Sequence, residues 1–225
     1  MGSTAKNLTT NEVVAEFECL HAEADTAMFT IYSVLRSNGY AEAVVLDTED
    51  TDNYVQAAYV AHRTQEILCM KRKHQLIDAQ CLCSEAMSAS VIPLHVLTEC
   101  DHNSGFYGAS KKLTAERLEK SKEAQDLWYA ACGTQLPVTQ EVISHLEQFV
   151  IRYVYGDTKS KNLADARAAK WRAQKKKSTV RLVPDSDSLH QHLARANYLA
   201  YLLKHYQLQN HPSPIGHGWH LVIYL

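Results

Sequence analysis

The chain has 225 residues, a hydrophobic fraction of 46% and a formal net charge of -2 at pH 7. These values are typical of a globular protein with a sizeable core, and they exclude binding to nucleic acid or membrane through overall charge, so any basic surface has to be local. The six cysteines are scattered without zinc-site spacing, which favours reduced thiols. With no signal peptide and no apolar run long enough to cross a bilayer, we expect an intracellular protein, nuclear or cytoplasmic, without a membrane partner.

Hydrophobic periodicity predicts that helices and strands alternate in the first part of the chain, which is the pattern of an α/β sandwich. A helix over Ala24–Arg36 ends at Asn38-Gly39 and leads into a short apolar strand. The predicted elements that follow are strand Ala43–Leu46, helix Thr51–Arg63, strand Glu66–Met70, hairpin strand His74–Asp78, helix Ala79–Ser90 and an apolar segment, Val91–Cys100.

The remainder of the chain is predicted to be helical. A break at Gly133–Pro137 and a change in composition divide an α/β domain over residues 11–135 from a helical C-terminal region over residues 136–225. The predicted helices are Lys111–Glu119, Glu123–Cys132, Thr139–Gly156, Asn162–Lys175 and Ser186–Gln207.

Acidic residues mark the end of the first predicted strand, because Ala43–Asp52 carries four carboxylates within six residues. Ligands bind at the carboxyl ends of strands in open α/β sheets, and crowded carboxylates repel one another unless a cation or a basic partner neutralises them. Further acids stand at the start of the first helix, at Glu23 and Asp25, and after an apolar segment, at Asp101. Helix capping accounts for Asp25 by itself, but not for the three groups together, which suggests a shared metal site.

Three motifs, in the same order, resemble the flap-endonuclease/XPG-like nucleases of the PIN-like superfamily. Glu23-Ala24-Asp25 resembles their Glu-Ala-Glu motif, Thr48–Asp52 is similar to Ser-Glu-Asp-x-Asp, and Cys100-Asp101 with the glycines after it resembles Gly-Cys-Asp…Gly-x-Gly-x-Lys. A closer likeness is to a group of transposon-associated animal proteins. Its motifs resemble His21–Thr26, Asp50–Asp52, His95–Asp101, Arg195–Tyr198 and Pro212–Trp219.

The resemblance implies a PIN-like parallel sheet sandwiched by helices, with a helix–two-turn–helix-like segment near residues 101–120. It also implies a structure-specific nuclease that hydrolyses phosphodiesters of DNA, without sequence preference, using two Mg²⁺ or Mn²⁺ ions about 3.5–4 Å apart. The implied metal ligands are Glu23, Asp25, Asp50, Asp52 and Asp101, of which Asp50, Asp52 and Asp101 are the catalytic positions. The implied phosphate contacts are Gly105, Gly108, Lys111 and Lys112.

Departures from the family pattern leave other interpretations open. The family's first strand and its aspartate ligand have no counterpart before Glu23, and Glu99 replaces the glycine before Cys100. The turn Gly108–Lys111 lacks the second glycine of the phosphate-binding loop. The main alternative is therefore an inactive nucleic-acid-binding or interaction module that retains the fold. A third hypothesis is a helical interaction protein with a chance acidic cluster.

Two further features favour surface roles over chemistry. The basic run Lys170–Arg181 is either a solvated helix face or a nucleic-acid contact. Six histidines between His190 and His220 lack the regular spacing of a zinc site, which argues against metal binding there.

Overall fold

The computed structural model describes residues 24–174 and 182–221, and it divides into two compact units. Unit 1 comprises the described residues up to Ser88 together with Leu202–Ser213, and unit 2 comprises Ala89–Tyr201 and the residues from Pro214 onward. The chain thus changes unit after Ser88, whereas the sequence predicted a boundary at residue 135. The break on which that prediction rested, Gly133–Pro137, lies inside unit 2.

The C-terminal segment Leu202–Ser213 belongs to unit 1 because it binds helices that lie far away in the sequence. Gln56 Nε2 donates to the Leu203 carbonyl oxygen at 3.0 Å, and Thr30 Oγ1 donates to the Tyr206 carbonyl oxygen at 2.8 Å. The buried Tyr206 ring also packs edge-on against Phe29, with centroids 6.5 Å apart. These buried contacts depend on the tertiary structure and leave no periodic signal in the sequence.

Unit 1 contains most of the predicted α/β elements. The prediction of one continuous helix over Ala79–Ser90 is wrong. His62 Nε2 lies 3.1 Å from the Gln80 carbonyl oxygen and 3.0 Å from that of Cys83. In a continuous helix, both carbonyl groups would accept hydrogen bonds from backbone N–H groups of the helix itself. The elements are α1 (Ala24–Ser37), β1 (Ala43–Asp47), α2 (Thr51–Thr64), β2 (Ile67–Arg72), β3 (Gln75–Asp78), a 3-10 turn (Ala79–Leu82) and α3 (Glu85–Ser88).

The described strands form one small mixed sheet in the order β1-β2-β3. β1 and β2 are parallel, with Val44 opposite Leu68, and β2 and β3 form an antiparallel hairpin. Leu68 and Met70 are buried on one face, whereas Ile67 is 62% exposed on the other. The predicted mixed α/β class is confirmed. Within residues 24–174 and 182–221, however, the sheet has three strands and a partly exposed face, so it is not the fully parallel, doubly covered sheet that was expected.

Unit 2 is helical. Its first helix was predicted only as an apolar segment, and the helix buries every residue from Ile92 to Thr98. Pro93 is tolerated because it lies in the first turn, where the backbone N–H has no helical partner. The helices are α4 (Val91–Thr98), α5 (Lys111–Glu119), α6 (Lys122–Ala131), α7 (Gln140–Phe149) with a π-helical turn (Val150–Val154), α8 (Leu163–Ala173) and α9 (Ser186–Lys204), the last of which ends in unit 1.

The helices predicted after residue 110 are confirmed to within a few residues at each end. Polar caps begin several of them: Ser110, Thr139 and Asn162 each accept a hydrogen bond from a backbone N–H in the first turn. Among the described residues, no helix has the length and apolar character needed to cross a membrane.

Candidate functional site

The acidic turn after β1 is organised by its own hydrogen bonds. Asp50 is the N-cap of α2, and its Oδ1 accepts a hydrogen bond from the Asp52 backbone N–H at 2.8 Å. The Asp50 N–H in turn donates to Thr48 Oγ1 at 3.1 Å. Asp50 therefore has a structural role at a helix N-terminus, where the helix dipole also stabilises its charge.

A buried asparagine joins this turn to the first helix. The side chain of Asn53 is in α2 and only 1% of the residue is exposed. Its Nδ2 donates to Asp25 Oδ1 and to Thr48 Oγ1, both at 3.1 Å. Two predicted metal-ligand groups, Asp25 and the Asp50–Asp52 turn, thus converge at the carboxyl end of β1. We call Asp25, Thr48, Asp50, Asp52 and Asn53 the acidic corner.

Sequence reasoning missed Asn53, although it follows the Asp50–Asp52 motif directly. An asparagine near a helix N-terminus reads as an ordinary polar residue, because nothing local shows that its side chain is buried. The available signal was its helical spacing, because Asn53 lies on the same face of α2 as the buried Ala57 and Val60. A polar side chain on a buried face needs partners, and the carboxylate of a neighbouring helix is a suitable acceptor.

The other two carboxylates of the acidic stretch, Asp47 and Glu49, form ion pairs with basic residues at the end of β2. Lys71 Nζ lies 2.5 Å from Asp47 Oδ2, and Arg72 Nε lies 3.8 Å from Glu49 Oε2. Both pairs are exposed, so each stabilises the fold by about 1 kcal/mol at most. They nevertheless offset much of the local negative charge, so repulsion within the stretch does not by itself require a metal ion.

The acidic corner contains suitable ligands for a hard divalent cation. Asp25 and Asp50 each use one carboxylate oxygen in the hydrogen bonds given above. Mg²⁺ is commonly held by one or two carboxylates and completed by water and substrate oxygens, and this donor set fits that arrangement. Across the described ranges, no group of three or more His, Cys, Asp or Glu side chains is arranged to hold a metal ion. The predicted ligand Glu23 lies outside the described residues.

The remaining predicted ligand, Asp101, belongs to unit 2. It is exposed in a tight turn closed by reciprocal backbone hydrogen bonds between Cys100 and Asn103, at 3.0 and 3.2 Å. The acidic corner is made entirely of unit 1 residues, so the structure brings together only part of the predicted ligand set within one unit.

The predicted phosphate-binding loop precedes α5. Gly105 approaches the Thr98 carbonyl oxygen so closely that a β-carbon there would lie 2.8 Å from it, whereas Gly108 has open space around it. Lys111 Nζ donates to His95 Nδ1 at 2.8 Å and to the Glu99 carbonyl oxygen at 2.7 Å. Through these two hydrogen bonds, Lys111 ties the start of α5 to α4 and to the residue that follows it. Lys112 is exposed in the first turn of α5.

Asp101 is one of the residues that line an open polar cavity of about 520 Å³. The cavity is lined by the loop residues 99–104, by Arg195 of α9 and by Trp219, and we call it the unit 2 cavity. Arg195 and Trp219 come from two separate motifs in the sequence, which the fold brings together: Arg195 Nη1 donates to the Gly218 carbonyl oxygen at 3.1 Å.

The histidines near the C-terminus have separate roles. His190 lies 3.7 Å from Glu147 Oε2, while His192 is buried, approaches the Leu97 carbonyl oxygen at 2.8 Å and packs against Phe106. Of the basic run Lys170–Arg181, the residues from 175 onward lie outside the described residues, and Lys170 to Arg172 end α8.

Burial lowers the pKa of His192 from 6.5 to about 4. As the pH falls below 6.5, the unfolded chain therefore binds a proton that the folded chain does not, so stability is lost between about pH 6.5 and pH 4. We expect the free energy of unfolding to fall by about 2 kcal/mol more in the wild type than in His192→Gln on going from pH 7 to pH 5. Urea titrations at both pH values measure this difference, and parallel losses in the two proteins would contradict it.

No protein-family model, characterised protein or solved structure shows a significant match to this chain.

Proposed function

We propose that this chain is a nuclease-like protein of the PIN-like, flap-endonuclease type, and that it hydrolyses phosphodiesters with Mg²⁺ or Mn²⁺ at the acidic corner. The observation that carries the proposal is the pair of hydrogen bonds from buried Asn53 to Asp25 and Thr48. Through them, acids from two separate sequence motifs meet at the carboxyl end of β1, where α/β proteins place their ligands.

The residues of the corner have distinct tasks in this proposal. Asp25 and Asp50 would hold the cation, with water and substrate oxygens completing its coordination, and Asn53 orients Asp25 from within α2. A divalent cation held there would supply two things to phosphodiester hydrolysis: activation of a water molecule and stabilisation of the leaving oxygen. The substrate is nucleic acid, contacted through its phosphates without sequence readout.

A second candidate function, a nucleic-acid-binding module without turnover, is favoured by a different observation. Asp47 and Glu49 are paired with Lys71 and Arg72, and Asp50 caps α2, so much of the acidic charge is already matched within the protein. A corner stabilised in this way persists without a metal ion and without catalysis.

Asp50→Asn separates the two functions, because asparagine keeps the helix cap and removes the charge. We expect the wild-type chain to cleave branched DNA with Mn²⁺, and Asp50→Asn to be at least about 100-fold slower, with weaker Mn²⁺ binding by calorimetry. Asp78→Asn is the matched control. Asp78 also caps a helical turn, accepting a hydrogen bond from Gln80 N–H at 2.9 Å, but lies outside the corner.

The outcomes decide between the candidates. Cleavage that is lost in Asp50→Asn and retained in Asp78→Asn supports the enzyme. Absence of both cleavage and Mn²⁺ binding in the wild type rules the enzyme out, and salt-dependent DNA binding under the same conditions then supports the binding module. Cleavage that survives unchanged in Asp50→Asn places the activity elsewhere.

A further inference from the structure

Trp219, which lines the unit 2 cavity, belongs to an aromatic cluster packed on α9. Tyr198 stacks on His217, with ring centroids 5.3 Å apart, and meets Trp219 edge-on at 5.4 Å. A β-carbon at Gly218 would lie 2.6 Å from the Gln191 carbonyl oxygen, so the backbone between the two rings is in direct contact with the helix. Trp219 is thereby kept half-buried at the edge of the cavity.

Arg195 connects this cluster to the loop on the other side. Its Nη1 donates to the Gly218 carbonyl oxygen at 3.1 Å, and its Nε lies 3.4 Å from Asn103 Oδ1. Asn103 is only 4% exposed and donates from Nδ2 to the Val96 carbonyl oxygen at 2.9 Å. Hydrogen bonds therefore tie both sides of the open cavity to helices, α9 through Arg195 and α4 through Asn103.

Two carboxylates, those of Glu99 and Asp101, line this cavity and could accept hydrogen bonds from a ligand. Glu99 and Asp101 are both exposed, and within the part of the chain that the structure describes neither carboxylate makes a hydrogen bond or an ion pair. An ionised carboxylate only accepts hydrogen bonds, so these groups favour a ligand that presents N–H donors and disfavour a phosphate beside them. The indole of Trp219 favours a flat ring that can stack on it.

We propose that the unit 2 cavity binds a guanine base, stacked on Trp219 and donating hydrogen bonds to the carboxylates of Asp101 and Glu99. Guanine presents two neighbouring donors, N1–H and the N2 amino group, on one edge, and this pair matches the two oxygens of a carboxylate. The cavity volume of about 520 Å³ lies within the usual range of roughly 300–1,000 Å³ for small-ligand sites. This inference goes beyond the proposed function, because it needs no metal ion and lies within unit 2.

Calorimetry with the full chain in EDTA tests the proposal. We expect guanosine monophosphate to bind at least about 10-fold more tightly than inosine monophosphate, which lacks only the N2 amino group, and more tightly than adenosine monophosphate. Trp219→Ala should weaken the binding of guanosine monophosphate by about 10-fold or more, whereas Trp219→Phe should retain most of the affinity.

Asp101→Asn provides a test that does not depend on the aromatic cluster. Because Asp101 is exposed, the variant should fold normally, and we expect it to remove most of the preference for guanosine over inosine monophosphate. Asp187→Asn is the matched control, since Asp187 is an exposed aspartate in the first turn of α9, away from the cavity, and its replacement should change nothing.

A second arm distinguishes a free nucleotide from an unpaired guanine in a nucleic acid strand. A thymidine oligonucleotide with one central guanine should bind more tightly than its all-thymidine counterpart if the base comes from a strand, and both should bind equally if the site takes only free nucleotides. Equal affinity for the three monophosphates, no binding at millimolar concentration, or an unchanged preference in Asp101→Asn would overturn the inference. Because EDTA is present, these outcomes are independent of Mn²⁺-dependent cleavage.

Discussion

A Gly133→Ala variant is expected to lose about 3 kcal/mol of unfolding free energy. Gly133 has a φ of +72°, and a β-carbon there would lie 2.6 Å from Ala200 Cβ and 2.9 Å from the Tyr201 backbone nitrogen. The close approach is reinforced by Asn197, whose Oδ1 accepts from the Gly133 N–H at 2.8 Å and whose Nδ2 donates to the Gln135 carbonyl oxygen at 3.0 Å. The added methyl group would have to push this segment away from α9.

Gly108→Ala is the matched control for that substitution. Gly108 has a φ of +71°, almost the same as Gly133, but no atom lies within 4 Å of its hypothetical β-carbon. Its replacement should therefore cost only the left-handed backbone strain, about 1 kcal/mol. Urea denaturation of both variants isolates the packing cost at α9, and equal losses in the two would show that Gly133 is not tightly packed.

An Asn53→Ala variant is expected to lose about 2–3 kcal/mol of unfolding free energy and to weaken Mn²⁺ binding at the acidic corner. The substitution removes the donor that holds Asp25 and Thr48 and leaves Asp25 without that hydrogen bond. Asn53→Asp should be at least as damaging, because it has nearly the same shape but replaces the donor with a second negative charge beside Asp25.

Two comparisons show whether the loss arises at the corner. Asn210→Ala changes an exposed asparagine of unit 1 and should alter stability by less than about 0.5 kcal/mol. A double-mutant cycle between Asn53→Ala and Asp25→Ala should give a coupling energy of about 1 kcal/mol or more, measured by urea denaturation. Additive effects in the cycle would mean that the hydrogen bond between Asn53 and Asp25 contributes little.

Local patterns in the sequence predicted the elements whose boundaries are set by local forces. The alternation and turn residues between Ala24 and Asp78 predicted α1, β1, α2, β2 and the hairpin, because helical and strand periods and a terminating Asn-Gly act over a few residues. The N-caps of the later helices are likewise short-range signals. The apolar run that ends directly in the acidic residues Asp47–Asp52 also correctly indicated that these acids lie at the end of a strand.

Only the tertiary structure decided features that depend on residues far apart in the chain. Val91–Thr98 is apolar on all sides, so no periodicity could distinguish a buried helix from a strand. Leu202–Ser213 belongs to unit 1 through the hydrogen bonds of Gln56 and Thr30, which the local sequence cannot show. The role of Asn53 and the unit 2 cavity lined in part by Asp101 likewise require side chains from separate segments to meet, and burial determines which polar groups become partners.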